Sequence, residues 1–121
     1  MENPQRATIA FLCGCLNNVL AAVHYSSVYD YARGEYSQCS YSNNGGNFSI
    51  FDYERQCYLT GRFPSFYDYG VSQYITLSKV GGNAFNVFDY LTRSYLSVTC
   101  HGNTVTIFDY SRGQYFNYAL N

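Results

Sequence analysis

A chain of 121 residues with a formal net charge of -1 and only 12% charged residues is one domain, 1–121, with room for a modest core. It carries no electrostatic footprint for nucleic acid. There are 15 Tyr and no Trp, and the five cysteines, odd in number and unevenly spaced, argue against a complete disulfide framework and for a reducing, cytoplasmic setting.

Residues 1–6 read as a polar lead-in containing Pro4 and Arg6. In residues 7–23, Ile9, Leu12, Leu16, Val19 and Val23 recur at spacings of three and four, with Phe11 and Leu20 widening the stripe. That predicts an amphipathic helix, flanked on one side by Ala10, Gly14, Asn17 and Ala21. Gly14 costs a helix about 1 kcal/mol against Ala, so this one leans on tertiary packing. A signal or lipoprotein anchor is the competing reading, through Leu12-Cys-Gly-Cys15. A membrane span needs about 20 apolar residues, and Asn17 and Asn18 interrupt this stretch, so no membrane span is expected.

Residues 24–121 carry one motif five times, Asp-Tyr-x-x-x-x-Tyr: Asp30 to Tyr36, Asp52 to Tyr58, Asp68 to Tyr74, Asp89 to Tyr95 and Asp109 to Tyr115. An aromatic precedes each Asp: Tyr29, Phe51, Tyr67, Phe88, Phe108. β-favouring runs flank each polar insert, and Gly34 and Gly113 are free to take positive φ there, so each copy predicts a β-hairpin. Asn43-Asn-Gly-Gly-Asn47, Gly81-Gly-Asn83 and His101-Gly-Asn103 are turns at the opposite edge. The sum is an up-and-down meander of about ten short strands.

Pairing the two Tyr of each copy and walking outward sorts the side chains by face. One face receives the repeat Asp together with Phe66, Ile75, Leu77, Phe85, Val87, Leu96, Val98, Val105, Ile107, Phe116, Tyr118 and Leu120, and it reads as core. Cys39 and Cys100 fall on that face as small hydrophobes. The other face receives a row of aromatics beside the turns and Ser, Thr and Asn beyond them. From this row the candidate partner or ligand face is Tyr53, Tyr58, Tyr67, Tyr69, Tyr74, Phe88, Tyr90, Tyr95, Phe108, Tyr110 and Tyr115, with Tyr29, Tyr31, Tyr36 and Phe51 continuing it.

The repeat Asp could bind cations, but one carboxylate every two strands, about 9–10 Å apart, is too sparse for a metal cage. The favoured role is a cap on its own loop, with Arg33, Arg55, Arg93 and Arg112 reaching neighbouring repeats. Cys100 and His101 point to opposite faces of a strand and cannot form a nucleophile pair. Gly45-Gly46 and Gly81-Gly82 are hairpin turns, not phosphate loops. No catalytic constellation, cofactor or metal is expected.

The aromatic hairpins are similar in period to cell-wall choline-binding repeats, which rely on Trp, and the Tyr-Asp beside a Gly turn is similar to the repeats of large secreted shell proteins, whose Asp-to-Gly offset differs. The chain is placed in neither family.

The expected fold is α+β: an N-terminal helix packed on a strongly curved antiparallel meander of about ten short strands built from five β-hairpin repeats. A helix about 26 Å long cannot cover a flat sheet about 48 Å wide. Either the sheet curls around it or a second chain covers the rest. The expected function is a non-catalytic, self-associating interaction or structural module, most simply a homodimer. The alternative is a module that binds a small ligand, a glycan or a hydrophobic molecule, on the same aromatic face.

Overall fold

The computed structural model describes residues 1–19 and 23–121. One helix, α1 (Asn3–Asn17), precedes ten strands: β1 (Ser27–Asp30), β2 (Glu35–Asn44), β3 (Asn47–Asp52), β4 (Cys57–Arg62), β5 (Ser65–Asp68), β6 (Gln73–Lys79), β7 (Ala84–Asp89), β8 (Ser94–His101), β9 (Thr104–Asp109) and β10 (Gln114–Leu120). Each strand pairs antiparallel with the next, and β1 also pairs with β10, setting Val28 opposite Leu120 and Asp30 opposite Tyr118. The meander is a closed barrel, which leaves no unpaired sheet edge.

The helix fills the barrel. Every residue from Gln5 to Cys15 is buried, so α1 is wrapped on all sides and has no solvent face along that stretch. It starts at Asn3 and not at Ala7, with Pro4 in the first turn, where a missing N–H costs nothing. It stops at Asn17, short of the expected Val23; Leu20, Ala21 and Ala22 of the expected span lie outside the described residues. The reason for this difference is the enclosure: a helix inside a barrel meets apolar wall in every direction, so a one-sided stripe is a poor guide to its bounds. Gly14 lies where a Cβ would collide with the buried Leu120 side chain, which explains a glycine in the helix.

The observed register differs by two residues from pairing Tyr with Tyr. Asp89 faces Ser94, Phe88 faces Tyr95 and Val87 faces Leu96, and the other four hairpins repeat this pattern. A shift of two leaves every side chain on its expected face, because strands alternate with period two. Phe66, Ile75, Val87, Leu96, Val98, Ile107, Tyr118 and Leu120 are accordingly buried in one core with the residues of α1, as are Cys39 and Cys100.

The loops explain the register. Four residues separate Asp from the strand that follows, and the fourth takes positive φ in every copy: Gly34 (67°), Gln56 (54°), Ser72 (54°), Arg93 (55°) and Gly113 (64°). Asp closes the loop from its other end. Its Oδ1 accepts the N–H two residues on, from Ala32, Glu54, Gly70, Leu91 and Ser111, at 2.8–3.1 Å. Three copies therefore hold an L-residue where glycine fits best. Gln56→Gly and Ser72→Gly are expected to stabilise the fold by about 0.5–1 kcal/mol each, or roughly 1.5–6 °C in melting temperature. A scanning-calorimetry melt checks this, and a lowered midpoint in both variants would contradict the loop account.

Candidate functional site: an aromatic belt around one rim

Each hairpin builds the same three-ring unit on the outer wall. The central ring is the residue before Asp, and the register sets the second Tyr of the motif directly across from it. The first Tyr, at the start of the loop, folds back onto the same ring. In the fourth copy Phe88 holds Tyr90 at 4.9 Å and 86° and Tyr95 at 4.9 Å and 63°. The units at Tyr29, Phe51, Tyr67 and Phe108 match it, with centroids at 4.7–4.9 Å and edge-to-face geometry. Each such pair adds about 0.5–1.5 kcal/mol beyond its buried area.

The central rings are half-buried, and the flanking tyrosines are not. The ten of them range from 46% exposed at Tyr90 to 71% at Tyr115. All eleven expected face residues lie on this belt, and so do Tyr29, Tyr31, Tyr36 and Phe51. The belt therefore circles the barrel as five units at the rim of the Asp loops. Towards the other rim the outer wall is polar, with Thr76, Ser78, Asn86, Ser97, Thr99, Thr106 and Asn117 on the outward positions.

Inside the same rim, the five repeat aspartates form a second ring, each 0–1% exposed. They surround the start of α1, where the helix dipole is positive. Arg33 pairs with Asp30 at 2.6 Å and bridges to Glu54 of the next repeat at 2.6 Å. Arg55 pairs with Asp52 at 2.7 Å and reaches Asp68 at 3.1 Å. The Thr8 hydroxyl donates to Asp52 at 2.6 Å, and Thr92 donates to Asp89 at 2.8 Å. Asp109 takes Arg6 at 3.1 Å. Burial alone would raise the Asp109 pKa, but the Ser111 hydrogen bond, the amino terminus and Arg6 outweigh it and hold the carboxyl below its ordinary value. Hydrogen bonds from Arg33 and Ser37 outweigh partial burial and lower Glu54 too.

Arg6 is the residue that sequence reasoning missed. In the sequence it reads as part of a polar lead-in, yet it is fully buried, donates Nε–H to Asp109 at 3.1 Å and Nη1–H to Asn3 at 2.6 Å, and covers the Phe116 ring at 3.6 Å. A signal for it existed. Five carboxylates on the core face call for cations inside the barrel, and Arg6 is the cation nearest the helix start.

All five cysteines are free thiols, four of them buried. Burial pushes Cys100 up to about 11 and Cys39 up to about 12, and Cys13 and Cys15 are raised for the same reason, with neighbouring thiols adding to it. A nucleophilic cysteine needs the opposite environment. Among the described residues no group of three or more His, Cys, Asp or Glu is placed to hold a metal ion. Among the described residues no helix is long and apolar enough to cross a membrane. Comparison with family models, with curated proteins and with solved structures finds no match for this chain.

Proposed function

We propose that this protein is a non-catalytic binding module that carries its binding surface on the aromatic belt and takes a glycan as ligand. The observation that supports this reading is that ten tyrosines stay 46–71% exposed on a barrel that already closes its own sheet and fills its own core. Large contiguous exposed aromatic surface is uncommon unless something uses it. Tyr suits such use because it offers wide area and a polar tip at low conformational cost. A non-catalytic role is supported by the aspartates, each engaged as a loop cap, and by thiols whose surroundings disfavour the thiolate. Five free thiols suit a reducing compartment such as the cytoplasm.

Self-association through the same belt is the second reading, favoured by the continuity of its amphipathic surface. The belt encircles the barrel, so a side-by-side homodimer would cover one arc and leave the others in water. A second chain is also not needed to complete the sheet.

The test is retention on a glycan array by the wild type and by Tyr90→Ser/Tyr95→Ser, with far-UV circular dichroism to confirm that the variant is folded. Retention of the wild type with loss in the variant is the expected result. A wild type that no glycan retains would overturn the proposal.

A further inference from the structure

Resting on the glycan reading of the belt, we infer that the ligand is an extended, uncharged oligosaccharide laid along the belt across β5–β9, so that several grooves act as one site. Four shallow grooves lie on that arc, and they share walls. One of about 310 Å³ runs between Tyr74 and Tyr90. The next two, of about 420 and 310 Å³, adjoin Tyr90 and Phe88, the second reaching Tyr95. A wider one of about 570 Å³ runs from Tyr95 to Tyr110. The outcome is a track with exposed rings as partitions.

The floor of the track selects the ligand class. Thr76, Ser78 and Asn86 line it, with Gln73 and Ser94 at its margin. These groups both donate and accept hydrogen bonds, as sugar hydroxyls do. A pyranose also has a C–H face that is apolar and slightly positive, suited to the negative face of an aromatic ring. An acyl chain would leave the polar floor unpaired, and a phosphate-bearing ligand would want several cations. Arg93 is the one charged residue on these grooves, and no carboxylate lines them.

Spacing favours a chain over a single sugar. Neighbouring units stand two strands apart, about 9–10 Å, close to the run of two hexoses, so the arc from Tyr67 on β5 to Phe108 on β9, four strand spacings, runs about 20 Å. On the opposite arc the surface is different. Arg33 lies at 3.2 Å from Glu35 and 2.6 Å from Glu54, which puts an ion cluster between the first two units, beside Tyr36. Tyr36 therefore stands outside the track.

The experiment is isothermal calorimetry with α- and β-1,4-linked glucose and β-1,4-linked mannose oligomers of one to six units. Affinity is expected to rise about tenfold or more from dimer to pentamer and then level off. Tyr95→Ser should weaken the pentamer about tenfold, while Tyr36→Ser changes it less than about twofold. Binding that is independent of length, or equal loss in Tyr36→Ser and Tyr95→Ser, would leave the belt a glycan surface but sink the track. An α-1,4-linked galacturonate pentamer titrated in parallel that binds more tightly than every neutral pentamer, with affinity that falls with salt and in Arg93→Gln, would overturn the uncharged class. If none of these oligomers binds, the track and the glycan reading fail together.

Discussion

Arg6→Met is expected to cost about 3–5 kcal/mol of folding stability, because it strips a fully buried carboxylate of its guanidinium partner and leaves it only the Met1 amino terminus at 3.4 Å. Asp109 and Arg6 are both 0% exposed, and water cannot reach the site to replace the guanidinium. The loss is a large part of the roughly 5–15 kcal/mol that holds a domain of ordinary stability. Arg6→Met/Asp109→Asn should recover most of it, since the charge left behind is then removed as well. Acid should shrink the penalty. The Asp109 carboxyl is held below its ordinary value, so its contribution is present above the unfolded pKa, near 3.9, and is lost as pH falls through the folded value. Urea unfolding at pH 7 and pH 3 measures both effects. A loss under about 1 kcal/mol at pH 7 would mean that the pair does not anchor the helix.

The second large effect is expected in alkali. Cys13, Cys15, Cys39 and Cys100 are buried thiols whose folded pKa values are raised, first of all by desolvation. Their unfolded value is about 8.5. Below it both states hold the proton and the fold keeps its full stability. Above it the unfolded chain ionises and the folded chain does not, so stability falls until pH reaches the folded values. Each thiol should cost about 1.2 kcal/mol between pH 8 and 9.5, and the four together about 5 kcal/mol. Urea midpoints across that range, under reducing conditions, should drop accordingly, and Cys39→Ala/Cys100→Ala should halve the slope. A flat profile would show that the thiols are open to water in the folded protein.

The faces of the sheet were legible in the sequence because the repeat is strong and because alternation survives a slip of two. The pairing itself was not. Matching Tyr90 to Tyr95 looks natural from spacing, but the positive-φ residue Arg93 and the Asp89 cap set the four-residue loop one position earlier, at 90–93 in place of 91–94, with Phe88 across from Tyr95. Only Gly34 and Gly113 announced that backbone position; Gln56, Ser72 and Arg93 concealed it. The aspartates were readable as caps, since their offset from each loop is constant. Closure was not readable as a certainty. It depends on β1 meeting β10, a pairing of residues as distant as Val28 and Leu120, and no local pattern encodes it. The helix was seen as a helix but misplaced, because complete enclosure removes the solvent face that marks helix bounds, and because Arg6 looks like surface when its partner lies more than a hundred residues away.

The claim on which the functional account rests is that a single chain completes its own barrel and leaves the belt free. Light scattering on the wild type and on Tyr90→Ser/Tyr95→Ser tests it most directly. The account predicts the mass of one chain for both, with the fold unchanged. A wild type with the mass of two chains that drops to one in the folded variant would contradict it, and would make the belt an assembly surface.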